Sequence, residues 1–198
     1  MQEGGRRTNP DRTLRTRTAL IAAARRLFVA KGYADTGTPE LVAEAGVTRG
    51  ALYHHFADKQ ALFRAVVETE NAALADEIER AAPAELGAME ALIAGGEAFL
   101  AAMSEPGRTR LLLIEAPAVL GRETMDAIDA SHGGRTLREG IAAAVADGAL
   151  RPVPVDEAAL LLSAVYDRAA LSIAAGADGE EWRALIRAVL DGLRPAAG

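Results

Sequence analysis

Apolar residues recur at helical spacing along most of the chain, and no segment from Lys59 onward reads as a strand. Near the start, Leu20, Ala24 and Phe28 each lie four positions apart, which predicts a helix over about 13–30 with one buried face. Gly32 is suited to end this helix because glycine readily adopts positive φ. The pattern therefore predicts an all-α protein.

A second helix is predicted from about Pro39 to Ala45. Thr38 precedes it, and its hydroxyl can accept a hydrogen bond from a backbone N–H that the helix leaves unpaired. The fixed φ of Pro39 suits the first helical position. This short helix follows the first one closely, as in a helix-turn-helix.

A third helix is predicted after a turn at Gly46, with Thr48 as its cap and with Leu52 and Phe56 on its inner face. The outward residues of this helix are Arg49, Gly50, Tyr53, His54 and His55.

These outward side chains are of the kinds that bind DNA. Arginine offers a bidentate donor to guanine edges or phosphates, glycine permits close approach, and hydroxyl and imidazole groups donate to phosphate oxygens. Asp58 is placed to cap the next helix, so Lys59 falls in its first turn, where a helix end and a lysine together favour an anion. We interpret the segment as a helix-turn-helix with a groove-reading third helix.

Residues 16–63 resemble the DNA-binding domain of the TetR family of bacterial transcriptional repressors. The matching positions are Leu27-Phe28, Lys31-Gly32-Tyr33, Ala43 with Gly46-Val47, Leu52-Tyr53 with His55-Phe56, and Lys59 with Leu62. Two positions depart from the family pattern: Gly37 replaces a polar or β-branched residue, and Leu41-Val42 replaces Ile-Ala. By this resemblance, phosphate contacts fall to Thr38, Thr48, Tyr53, His55 and Lys59, and base contacts to Arg49, Gly50 and Ala51.

The distribution of charge agrees with a DNA partner, although the net charge is −6. Residues 1–59 contain ten Lys or Arg against six Asp or Glu, whereas residues 60–198 contain twelve against twenty-two. The positive part therefore coincides with the predicted helix-turn-helix. An acidic remainder disfavours contact of the wrong surface with DNA.

Three regions are predicted. Residues 1–15 form a basic flexible arm that either binds DNA or is a solvated tail, residues 16–60 form the DNA-binding domain, and residues 61–198 form a helical effector-binding and dimerisation domain.

The chain has no cysteine, which excludes disulfides and thiolate metal sites. No apolar run approaches 18 residues and the N-terminus is polar, so we expect a cytoplasmic protein with no membrane partner.

Helices in the third region are predicted over about 58–82, from Pro83 to about Met103, through 111–116 with an interruption at Pro117, and from Gly121 to about Ser131. Others are predicted after Gly133-Gly134 to about 147, over 155–175, and over 178–193. In the last helix the predicted dimerisation residues are Trp182, Ile186, Val189 and Leu190. This final pair of helices could instead close the core of a single subunit.

Residues 111–121 also resemble, more weakly, a segment in one subgroup of TetR-type ligand domains, which enclose an apolar cavity. The candidates for contact with an effector are Phe99, Met103, Leu113, Glu115, Met125 and Tyr166. Glu115, Asp167 and Arg168 are of interest because charges on apolar helices are costly unless they are paired or solvated. Asp167 and Arg168 are adjacent and cannot face each other on a helix.

The predicted function is a homodimeric repressor of transcription that binds a palindromic operator in double-stranded DNA and is released by a small apolar or amphipathic effector. Two alternatives remain: a helical protein-interaction module that has lost operator binding, and a small helical enzyme. No catalytic motif is present for the enzyme. We expect neither cofactor nor metal, because His54 and His55 point about 100° apart on a helix and only His132 remains.

Overall fold

The computed structural model describes residues 9–83 and 85–196, and all the regular secondary structure in these ranges is helical. Two compact units are present, one ending at Glu68 and the other beginning at Thr69. The helices are α1 Asn9–Lys31, α2 Thr38–Glu44, α3 Arg49–His55, α4 Lys59–Ala81, α5 Ala88–Met103, α6 Ala116–Leu120, α7 Arg122–Ser131, α8 Gly133–Ala146, α9 Val155–Ala174 and α10 Gly179–Asp191. A π-helical segment, Arg110–Glu115, leads directly into α6. The all-α prediction is confirmed.

The first unit is held together by an aromatic cluster and a leucine core. The rings of Phe28 and Phe63 meet edge to face with centroids 5.1 Å apart, and Tyr33 lies 4.8 Å from Phe63. Leu41 and Leu52 bring α2 and α3 onto the same core, each 1% exposed. Burial of one face on each short helix fixes the orientation of α3, since helices this short are marginal alone.

The turns between these helices use the residues that the sequence indicated. Gly32, after α1, has φ of +89°, and Gly46, between α2 and α3, has φ of +64°, where a side chain would be strained. Thr48 caps α3, because its hydroxyl oxygen accepts a hydrogen bond from the N–H of Ala51 at 3.2 Å. Asp58 caps α4 in the same way through Ala61, at 2.7 Å.

Three of the predicted helix starts differ from the structure. The helix α2 begins at Thr38 with Gly37 as its N-cap, so the prediction that Thr38 caps this helix is wrong. Residues 9–15 of the predicted arm belong to α1, while residues 1–8 lie outside the described part. Pro83 does not begin a helix: Leu86 closes a turn onto the Pro83 carbonyl at 3.1 Å, and α5 begins only after Gly87. Extended backbone at Gly87, with ψ of 152°, makes this residue the N-cap instead.

The predicted interruption at Pro117 is also wrong. A proline in a helix removes one hydrogen bond and crowds the carbonyl four residues before it. Here the preceding turn is π-helical, with the N–H of Ala116 donating to the Leu111 carbonyl five residues back, and the helix continues to Leu120. Gly133-Gly134 likewise begins α8 instead of separating two helices, and the break falls at His132.

The second unit is a helical domain in which α8 packs against α5 and α9, while α10 packs against α9. Its core contains Met89 and Leu100 of α5, Ile141 of α8, and Leu162 of α9. The predicted final pair of helices, 155–175 and 178–193, corresponds to α9 and α10.

Candidate DNA-binding surface and ligand cavity

The third helix presents to solvent the face that the sequence predicted. Leu52 and Phe56 are buried at 1% and 4% exposure, so the opposite side of α3 is free. Arg49, Gly50 and His54 are exposed there, and Tyr53 retains 44% of its surface. A helix fixed on one side and exposed on the other has the form that major-groove readers require.

Tyr53 is the centre of a polar cluster on this surface. The guanidinium carbon of Arg49 lies 5.6 Å from the centroid of the Tyr53 ring. Hydrogen bonds from Arg49 and from Thr38 lower the pKa of the Tyr53 hydroxyl. Three of the predicted DNA contacts, two on α3 and one on α2, are thus brought together, and all three carry donors suited to phosphate oxygens or base edges.

Gly50 and Thr48 lie at the start of α3. A Cβ built on Gly50 would meet only the Thr48 hydroxyl, at 3.9 Å. The fold of the first unit therefore does not require a glycine at this position, and the predicted close approach of DNA to Gly50 stays a prediction. The Thr48 hydroxyl accepts from the Ala51 N–H and keeps its own proton to donate. Ala51 is half-buried.

His55 is half-buried, unlike the exposed His54. Burial, followed by the charges of His54 and Arg17, lowers the pKa of His55, which favours the neutral ring. The Arg17 guanidinium lies 4.6 Å above the Phe56 ring. Arg17 is therefore a cation at this surface that the sequence analysis did not single out, since only the fold brings α1 beside the end of α3.

The side chain of Lys59 is held in place by contacts within the protein, unlike a lysine that extends into solvent. Its ammonium donates to the carbonyls of Tyr33 and Thr36 at 2.9 and 3.1 Å, and lies 4.1 Å from the Tyr33 ring centroid. Because an ammonium has three donors, one remains for an external anion. Lys59 thus ties the loop between α1 and α2 to the start of α4.

The loop before α2 is also held, although Gly37 provides no capping side chain. The Gly37 N–H donates to the carboxylate of Glu40 at 3.3 Å, and Lys31 pairs with the same carboxylate. These contacts lower the pKa of Glu40, the hydrogen bond from Lys31 most strongly. The residue before Thr38 is therefore held through the Glu40 carboxylate, despite the departure from the family pattern.

A cavity of about 880 Å³ lies within the second unit, lined from α4, α5, the π-helical segment and α6 to α9. Five of the six predicted effector contacts line this cavity: Phe99, Met103, Leu113, Met125 and Tyr166. The structure places Glu115 outside this lining, where its carboxylate pairs with Arg110 at 3.2 Å, so it lacks the cavity position predicted for it. That the other five bind an effector remains a prediction.

Two aspartates at the cavity wall carry its most perturbed carboxyl groups. Burial, and then the charge of Asp129, raise the pKa of Asp167 to about 6. Burial also raises the pKa of Asp129, against a lowering hydrogen bond from the Gly134 N–H. The sequence pointed to Asp167 as a costly charge but missed Asp129, whose only local signal is its position one turn after Met125 on the same face of α7.

The predicted dimerisation residues divide between two sides of α10. Ile186 and Leu190 are 4% and 2% exposed and belong to the core of the subunit, so their assignment to a partner-facing surface is corrected. Val189 is 40% exposed and Trp182 is half-buried. The exposed apolar residue that the prediction missed is Leu185, at 55%.

Within the described ranges, no helix is both long enough and apolar enough to cross a membrane. The same residues contain no group of three or more His, Cys, Asp or Glu side chains arranged to hold a metal ion.

A three-helix lobe with an exposed polar recognition helix, followed by a helical domain with a cavity, defines the class of helix-turn-helix regulators of transcription. Residues 20–66 match the family model of bacterial regulatory proteins of the tetR family, and residues 89–194 match that of the tetracyclin repressor-like C-terminal domain. The chain belongs to the TetR family.

Relatives agree with this membership. A crystal structure of a TetR-family transcriptional regulator from Pectobacterium atrosepticum is 31% identical, with a TM-score of 0.75, and the match covers 97% of this chain and 100% of that one. The transcriptional repressor AcnR of Corynebacterium efficiens is 34% identical over 34% of this chain and 36% of its own. The regulator AcrR of Shigella flexneri is 45% identical over 27% of this chain and 25% of its own. The chain thus spans only about a third or less of the length of these curated relatives.

Proposed function

We propose that this protein is a homodimeric repressor that binds a palindromic operator through α3 and leaves it when a small molecule occupies the cavity. The observation that carries the proposal is the exposed face of α3, whose opposite side is buried and whose Arg49 and Tyr53 form a polar cluster with Thr38 of α2. Among the described residues of the first unit, the side chains of Arg49 and Tyr53 are exposed and lie outside the core. Their chemistry is that of duplex recognition.

The dimer is supported by an exposed apolar face on the last two helices. In α10, Leu185 and Val189 are 55% and 40% exposed and lie four residues apart, and Leu161 of α9 is 65% exposed. Small residues, Ala184 and Ala188, accompany them on the exposed side of α10 and permit close helix packing. Two subunits joined by a two-fold axis present two recognition helices to half-sites about 34 Å apart.

Release by an effector is supported by the size and position of the cavity. A volume of about 880 Å³ lies within the range of small-molecule sites. The helix α4 contributes Leu74 and Ile78 to the cavity wall, and its first turn contains Lys59. An occupant that favours one position of α4 over another can thereby change how the DNA-binding units match their half-sites.

Selection of bound fragments from genomic DNA tests the operator directly. We expect recovery of a short palindrome, saturable binding at low ionic strength with two subunits per operator, and loss of binding when Arg49 and Tyr53 are replaced together by alanine. A matched control is Glu68→Ala with Arg64→Ala, an exposed pair in α4. Equal binding of all fragments by the wild type would contradict the proposal.

A further inference from the structure

The charges around the cavity do not balance. Five carboxylates line its wall against two guanidinium groups, Arg122 and Arg135. Arg135 pairs with Glu79 at 2.7 Å and with Glu139 at 3.0 Å. Arg122 lies 3.7 Å from Asp126 in an exposed pair at the rim. Both cations are therefore already occupied by other acids.

The two remaining carboxylates, Asp129 and Asp167, form no ion pair with a lysine or arginine among the described residues, and the charge of His132 is the last of the influences on Asp129. Asp129 accepts a hydrogen bond from the Gly134 N–H at 3.2 Å. A Cβ on Gly134 would lie 2.5 Å from the other carboxylate oxygen, so the glycine leaves just enough space for this side chain. Asp167 reaches the same cavity from α9, close enough for the charge of Asp129 to act on it.

The rest of the cavity provides an apolar environment for a ligand body. Phe99 and Tyr166 form an edge-to-face aromatic pair with centroids 5.8 Å apart. Met103, Leu112 and Leu113 continue this wall. Aromatic faces and polarisable side chains stabilise organic cations, and a carboxylate nearby makes the preference for positive charge stronger.

We propose that the cavity takes an organic cation with an apolar body, whose positive group lies between Asp129 and Asp167. This inference rests on the proposed function, since it names the class of effector for the same cavity. Two half-buried carboxylates, one of which disfavours the ionisation of the other, are costly in the empty protein, and a cation between them lowers that cost. A neutral ligand would leave the free-energy cost of the two carboxylates unchanged, and an anion would increase that cost.

The test uses tetraphenylphosphonium and tetraphenylborate, a permanent cation and a permanent anion of nearly the same shape. Binding to the full chain is measured by calorimetry at pH 7.5. We expect the cation to bind with one site per subunit or per dimer, and the anion to bind at least tenfold more weakly. The variant with Asp129→Asn and Asp167→Asn should lose at least tenfold in affinity for the cation.

Asp156→Asn is the matched control because it removes a carboxylate from α9 that is exposed, paired with Arg138 and outside the cavity wall. We expect it to keep cation affinity within about twofold. Equal affinity for both probes, or unchanged cation affinity in the double variant, would overturn the inference. Circular dichroism measures whether each variant is folded. If the double variant is unfolded, the two single variants, Asp129→Asn and Asp167→Asn, are measured in its place.

DNA binding is measured on the same samples without probe. A wild type that binds its operator but shows no preference for the cation refutes the effector class alone. A wild type that binds no DNA refutes the proposed function, whatever the probes do.

Discussion

The guanidinium of Arg108 lies 3.4 Å from the carboxylate of Glu70, and both side chains are buried. Arg108 also donates two hydrogen bonds to Glu77, at 3.2 and 3.3 Å, and one to the carbonyl of Ala102 at 3.1 Å. It therefore joins the second half of α4 to the end of α5. Burial by itself lowers the pKa of Arg108, but the acidic partners, Glu77 first, outweigh it and raise that pKa overall.

Replacement of Arg108 by methionine should destabilise the protein strongly. The change removes the cation and leaves Glu70 buried without it, a situation that typically costs about 3–5 kcal/mol. Chemical denaturation at pH 7.5 measures the loss. The control is Arg122→Met, which breaks a solvent-exposed pair with Asp126 and should cost no more than about 1 kcal/mol. Similar stability of the two variants would mean that the buried network does not hold α4.

Arg49→Ala should reduce operator affinity by about 1–3 kcal/mol and relax sequence preference at one position in each half-site if the guanidinium reads a base. Tyr53→Phe removes only the hydroxyl and should weaken binding to all sequences by a similar factor, because phosphate contacts carry no sequence information. Binding to a set of operators with single base-pair changes distinguishes the two effects. Uniform weakening by Arg49→Ala would assign it to the phosphates.

Lys59→Ala should have two separable effects. If the ammonium contacts a phosphate, the slope of log affinity against log salt falls by about one phosphate, or 0.9. Because the Tyr33 and Thr36 carbonyls also lose their donor, the melting temperature should fall as well. Lower thermal stability with an unchanged salt slope would mean that Lys59 stabilises the fold but does not contact a phosphate.

The local features of the first unit could be predicted from the sequence because each depends on neighbours in the chain. Thr48 caps α3, Gly46 makes the turn, and Leu52 and Phe56 face inward, as their spacing indicated. The role of Lys59 in holding the loop was not predictable in the same way, since its partners lie 23 and 26 residues earlier.

In the second unit the sequence predicted the helices better than their faces. The apolar stripe on α10 is wide and includes both Leu185 and Ile186. Periodicity therefore cannot distinguish Ile186, which packs in the subunit, from Leu185, which faces solvent. Asp129 and Asp167 are 38 positions apart, and nothing in either local pattern indicates that they share a cavity. Pairings of this kind depend on helix packing and not on the residues nearby.

The dimer surface is tested by changes on the two sides of α10. Leu185→Glu with Val189→Glu places charges on the exposed side and should give folded monomer by sedimentation. Ile186→Glu places a charge in the subunit core, so it should unfold the protein rather than dissociate it, because an unpaired buried charge is costly. A folded dimer that persists in the exposed-side variant would place the interface elsewhere.

Asp167→Asn should stabilise the protein at high pH while it weakens cation binding. Because the pKa of Asp167 is raised to about 6, the folded state binds this proton more tightly than the unfolded state, whose pKa is near 3.9. The resulting stability is present below about pH 4 and is lost as pH rises through about 6. At pH 8 the wild type must hold an ionised, half-buried carboxylate, so the variant should be more stable there by about 1–3 kcal/mol, at about 1.4 kcal/mol per pKa unit.

Denaturation curves at pH 8 and pH 4 measure this difference, which should be small at pH 4. The pKa of Asp129 is raised too, and the charge of His132 acts on Asp129, so the comparison is repeated in a His132→Asn background. A variant that is less stable than the wild type at both pH values would mean that Asp167 stabilises the folded protein. A ligand would then not be needed to explain why a carboxylate occupies this position.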